Sequence, residues 1–128
     1  MRKLLVNMAG DFYADCAAEA VARRGNFRVE KQRAADAESL QLRLREFPAD
    51  VLLLGVSVIA GYTVEDRLPL IRSVRSRLPE SRIVLFLDER VSAEQTEGVK
   101  QLRQARLIDG FLYASNSMEY LVDTLESL

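Results

Sequence analysis

Short apolar runs alternate with amphipathic stretches along the whole chain, and the two kinds differ in period. Residues 3–7 read as a first strand. A helix over residues 12–24 follows, with Asp11 as its N-cap and Gly25 just past its end. Residues 27–33 set Phe27, Val29 and Lys31 against Arg28, Glu30 and Gln32, the alternation of a more exposed strand. Asp36 caps a second helix with Leu40, Leu44 and Phe47 on its apolar face, closed by Pro48. Residues 51–57 are apolar without alternation, as expected of a central strand covered on both sides. After a loop marked by Gly61, a third helix turns Leu68, Ile71, Val74 and Leu78 inward. It has Pro69 in its first turn and Pro79 as its stop.

Residues 82–87 form another buried strand. Ser92, with Gln95 three residues on, opens a fourth helix in a capping-box pattern that carries to about residue 105. Residues 110–113 are a last strand. Ser117 caps a final helix with Met118, Leu121, Val122, Leu125 and Leu128 on its apolar side. Strand and helix alternate five times. This order predicts one α/β domain over residues 1–128, a parallel sheet with helices on both faces and right-handed crossovers.

Composition changes the picture mainly by exclusion. With 128 residues, 48% of them hydrophobic, the chain can bury a core without disulfides or metal. No histidine is present, which removes His-based acid–base catalysis, His-centred triads and the common zinc ligand sets. The single cysteine, Cys16, shares a helix face with Ala20 and reads as a small buried filler. A net charge of −1 argues against a broad nucleic-acid surface, so no direct nucleic-acid contact is expected. The longest apolar run, from Val51 to Ala60, falls short of the roughly 18 residues a membrane span needs. The basic start, Met1 to Val6, is broken at Asn7 and Gly10 too early for a signal peptide, and a cytoplasmic location is the expectation. Neither a G-x-G-x-x-G run nor a phosphate loop occurs.

In an open parallel sheet, ligands bind beyond the carboxyl ends of the strands. Two stretches here, Pro48-Ala49-Asp50-Val51-Leu52-Leu53-Leu54-Gly55 and Gly110-Phe111-Leu112-Tyr113-Ala114, resemble the third and fifth strands of bacterial response-regulator receiver domains. The resemblance covers nearly the whole chain. It implies a flavodoxin-like (βα)5 fold with strand order 2-1-3-4-5.

It also implies where a phosphorylation pocket belongs. The phospho-acceptor position falls on Gly55, which offers no carboxylate nucleophile. The acidic pair that holds Mg²⁺ falls on Asn7 and Met8, and a thioether is a poor ligand for a hard cation. The hydroxyl position falls on Asp88, whose charge repels a phosphoryl group, and the lysine position on Ala114. All the key positions depart from the family pattern together. The expectation is a degenerate pseudo-receiver that is no enzyme and holds no cofactor or metal. Two alternatives stay open: a displaced acceptor, Asp11 or Asp88, or a small ligand bound at the strand ends. Gly55 also fits a plain strand-end kink.

Receivers commonly associate through the fourth helix, last strand and fifth helix. The resemblance thus implies a homodimer or protein-partner face built from Arg103, Arg106, Phe111, Tyr113, Glu119, Tyr120 and Asp123. Arg72, Arg75 and Arg77 form a further basic stretch, either a solvated face or a contact for an acidic partner. A chain ending on its fifth helix also suits a fragment of a larger protein, with an output or ATPase domain downstream.

Overall fold

A strand with no polar alternation needs cover on both faces, and the third strand, Val51–Val56, is buried at every position. The computed structural model describes residues 1–33 and 36–128. Its elements run β1 (Arg2–Asn7), α1 (Asp11–Arg24), β2 (Phe27–Lys31), α2 (Ala37–Glu46), β3 (Val51–Val56) and α3 (Val64–Arg77). They continue with β4 (Arg82–Leu87), α4 (Ala93–Gln104), β5 (Gly110–Tyr113) and α5 (Met118–Glu126). All strand pairs are parallel, and their order is β2-β1-β3-β4-β5, as expected.

Because side chains alternate across a strand, the sheet feeds two separate cores. Leu5, Leu52, Leu54 and Leu85 meet Leu40 and Leu44 of α2, Ile71 and Val74 of α3, and Val99 of α4. Leu4, Val6, Leu53 and Val84 meet Ala17 and Val21 of α1 and Leu121, Val122 and Leu125 of α5. Each apolar contact face predicted for α2 and α5 is therefore found.

The helix ends show which local signals hold. Asp36, Ser92 and Ser117 accept hydrogen bonds from the backbone N–H three residues on, as their types predict. Asp11 does not cap α1. Gly10 takes the N-cap in an extended conformation, and Asp11 is the first helical residue, where its charge favours the positive end of the helix dipole. Gln95 completes only half of the expected box, since its side chain accepts instead from the Val64 N–H of α3. The full box lies at α3, where the Thr63 hydroxyl accepts from the Asp66 N–H and the Asp66 carboxylate from the Thr63 N–H.

That earlier start puts Pro69 inside α3 rather than in its first turn. Ile71 and Val74 of α3 are buried as expected, but at its start the buried positions are Arg67 and Leu70, and Leu68 and Leu78 are only half-buried. Strand β2 stops at Lys31, two residues short of the alternation. Cys16 is half-buried, not enclosed.

Candidate functional site

Strand parity divides the five expected pocket positions. Met8 lies with the α1/α5 core, and the missing side chain of Gly55 would point the same way. Asn7, one residue before Met8, is fully buried, and its amide donates to the Gln32 carbonyl at 2.5 Å. A Cβ at position 55 would stand 3.0 Å from the Met8 Cα, 3.1 Å from its Cβ and 3.2 Å from its Cγ, tighter than real Cβ atoms ordinarily pack. Met8 thus fills the volume an acceptor side chain would use. What remains is a cleft of about 30 Å³ bordered by Met8, Gly10, Tyr13, Ser57, Phe86 and Asp88. That is about the volume of one water molecule.

Ala114 borders a separate, larger cleft of about 290 Å³ with Leu87, Val91 and Tyr113; Asp88 touches both clefts. The Asp88 carboxylate accepts from the Arg90 N–H at 2.9 Å, and this bond holds its pKa below the ordinary value. The Arg90 guanidinium lies 3.4 Å away. Asp11 belongs to neither cleft; it is exposed and 3.4 Å from the Arg33 guanidinium. Apolar surface surrounds the mouth instead, since Phe12, Val58 and Ile59 are exposed and Phe12 stacks edge-on against Tyr13.

The residue that sequence reasoning missed is Arg67. It is 1% exposed. Its Nε donates to the Gly55 carbonyl at 2.9 Å and its Nη2 to the Asn7 carbonyl at 3.0 Å. The Tyr62 ring lies against the guanidinium, 4.7 Å from centroid to Cζ. Burial lowers its pKa to about 10, opposed by Tyr62 and Asp66, so it stays a cation at neutral pH. Among the described residues Nη1 has no hydrogen-bond partner, and no carboxylate pairs with this charge. A buried cation therefore ties the carboxyl ends of β1 and β3 to α3. The available signal was its helical spacing with Ile71 and Val74, which places it in the apolar stripe.

On the expected interaction face, Phe111 and Tyr113 stack edge-on at 5.8 Å, and Tyr113 and Tyr120 are exposed. Arg103, Arg106 and Glu119 are exposed as well. Asp123 is drawn elsewhere: it accepts from Arg24 of α1 at 2.5 Å, so its charge is satisfied within the chain. Arg106 adopts a left-handed conformation, φ 61°. The N–H groups of Arg106 and Leu107 bond back to the Arg103 and Leu102 carbonyls, a Schellman ending for α4 with arginine where glycine is usual.

The parallel 2-1-3-4-5 sheet with its five helices is the fold of response-regulator receiver domains. A LuxR-family DNA-binding response regulator from Staphylococcus aureus superposes with a TM-score of 0.76 at 13% identity, over 99% of this chain and 98% of that one. The receiver domain of NtrX from Brucella abortus gives 0.73 at 18% identity over 97% and 95%. The REC domain of AraT from Geobacillus stearothermophilus gives 0.72 at 21% over 98% and 91%. No family model and no curated protein matches the sequence. Among the described residues no helix is long and apolar enough to cross a membrane.

Proposed function

We propose that this chain is a pseudo-receiver: a receiver-fold module that takes up no phosphoryl group, catalyses nothing, and acts in bacterial regulation by binding a protein. The single observation that carries this proposal is Met8 packed against Gly55, since an acceptor side chain at position 55 would meet the Met8 main chain at 3.0 Å. Arg67 supports it. The strand ends where carboxylates would hold a divalent cation are braced by a buried guanidinium, whose like charge repels one. The proposed contact is the α4–β5–α5 face, where Tyr113 and Tyr120 offer exposed aromatic surface between Arg103, Arg106 and Glu119. Aromatic and arginine side chains are the usual anchors of such contacts.

Acetyl phosphate with Mg²⁺ tests the first part: the intact mass is expected to stay unchanged, and beryllofluoride with Mg²⁺ to leave the amide NMR spectrum in place. Addition of one phosphoryl group would replace this proposal with a receiver using Asp88 or Asp11. Light scattering over a concentration series tests the face. The double variant Tyr113→Ser/Tyr120→Ser should abolish self-association of the wild type; a strictly monomeric wild type at high concentration would count against this face.

A further inference from the structure

The three arginines of the third-helix stretch divide: Arg72 and Arg77 are exposed, and Arg75 is not. Arg75 is committed inside the fold, donating to the Leu107 and Ser81 carbonyls and pairing with Asp109. Arg77 is exposed and, among the described residues, meets no carboxylate. Across from it on α2 stands Arg45, likewise exposed and, among the described residues, in no ion pair, while its neighbour Arg43 is taken by Glu30 and Glu46. Between Arg45 and Arg77 runs a groove of about 120 Å³ with Leu44, Val74 and Leu78 on its floor and Gln41 and Ser73 on its walls. That volume suits one aliphatic or aromatic side chain; an apolar cavity of roughly 150 Å³ holds benzene. Arg77 and Leu78 also border a second cleft of about 270 Å³, lined by Pro48, Asp50, Pro79 and Glu80, whose two carboxylates form no ion pair with Arg77.

An apolar slot flanked by two unneutralised guanidinium groups discriminates by charge. A basic or purely apolar segment leaves both cations unmet, whereas flanking carboxylates satisfy them with charge-assisted hydrogen bonds. A duplex would satisfy the cations and leave the floor without a partner. We propose that the α2–α3 groove docks a short acidic segment of a partner protein, with one aliphatic or aromatic side chain on Leu44, Val74 and Leu78 and carboxylates on Arg45 and Arg77. This site is separate from the α4–β5–α5 face and does not depend on it.

Selection from a random-peptide display library on the immobilised full chain tests the proposal. Enriched peptides should carry Asp or Glu flanking one large apolar residue. The consensus peptide, followed by fluorescence anisotropy, should bind at least about tenfold more weakly to Arg45→Glu/Arg77→Glu. Arg103→Glu, on the other face, should bind it unchanged. Affinity for the wild type should also fall as salt rises, a readout that needs no variant. Failure to enrich, a consensus without carboxylates, or a consensus peptide indifferent to Arg45→Glu/Arg77→Glu would overturn the proposal. So would loss of peptide binding in Arg103→Glu, or duplex DNA that binds the wild type and is released by the double variant.

Discussion

Helix α3 is stitched to the sheet and its flanking loops near both ends by an arginine, fully buried at the upper end and part-buried at the lower, and the two stitches also differ in how the charge is met. At the lower end, Arg75 donates to the Leu107 carbonyl at 2.8 Å and the Ser81 carbonyl at 2.9 Å, and Asp109 meets its charge. At the upper end, Arg67 donates to the Gly55 and Asn7 carbonyls, and among the described residues no carboxylate forms an ion pair with it, Asp66 acting on it only from a distance. Main-chain carbonyls solve the hydrogen-bonding problem in both places; only the lower end also solves the charge problem. A buried cation that lacks a counter-ion is costly to keep. The upper end is also where the resemblance places acidic residues. Behind the positions where the family pattern has carboxylates, this chain therefore carries a fixed positive charge.

The largest effect should come from removing the upper stitch. Arg67→Ala leaves two buried carbonyls and a cavity, and urea unfolding should show a loss of about 3–4 kcal/mol. Arg67→Met keeps the volume and sheds the charge, so it should be the milder change. If Met were as damaging as Ala, the carbonyl bonds alone would hold this end, and the charge would be incidental.

Asp109→Asn should lower stability by about 2 kcal/mol, because Arg75 loses its charge partner and the Ile83 N–H its carboxylate acceptor. The same variant carries a pH signature. Burial works against the Asp109 carboxylate, yet the Ile83 N–H and Arg75 hold its pKa below the ordinary 3.8. The folded state therefore binds this proton less readily than the unfolded one. The stabilisation is complete above the unfolded value and disappears as pH falls through the lower, folded value. Acid titration of the wild type should show this loss below about pH 4, reduced in Asp109→Asn; an identical acid limb would remove Asp109 from the account.

Gly55→Ala should cost about 1–3 kcal/mol through the Met8 contact, and Met8→Ala in the same chain should recover part of it. The smallest effect has the opposite sign. Arg106 holds a left-handed conformation just before Leu107, the residue that receives Arg75. Arg106→Gly should raise stability by about 0.5–1 kcal/mol, measured as an upward shift of the thermal midpoint.

Every strand and helix was legible from its period, and cap chemistry agreed with it at α2, α4 and α5 though not at α1 or α3. Val51–Val56 announced a central strand by its unbroken apolar run, and Asp36, Ser92 and Ser117 marked helix starts that the backbone confirms. The site was less legible. Pattern reading gives an apolar stripe to apolar residues, so Leu68 was placed inward where Arg67 belongs, because a charged side chain is rarely sealed in a core. The opposed directions of Asn7 and Met8 were available from strand parity alone. Matching to a family motif grouped them by position instead. Asp11 looked like a cap by residue type, and only the extended backbone at Gly10 shows where the helix begins.

The contact between Met8 and Gly55 also sets the terms on which this domain could be altered. A carboxylate introduced at position 55 alone enters occupied space, and trimming Met8 alone opens a void in the α1/α5 core. Each single step is uphill, and the pair is only partly relieved, because trimming Met8 removes its Cγ at 3.2 Å and leaves its Cα and Cβ at 3.0 and 3.1 Å. The two substitutions should still show favourable coupling in a double-mutant cycle. For a mutating lineage this is a valley between two states, one that random single changes seldom cross. Engineering an acceptor into this fold is accordingly a problem of two simultaneous choices, with Arg67 beneath them as a third.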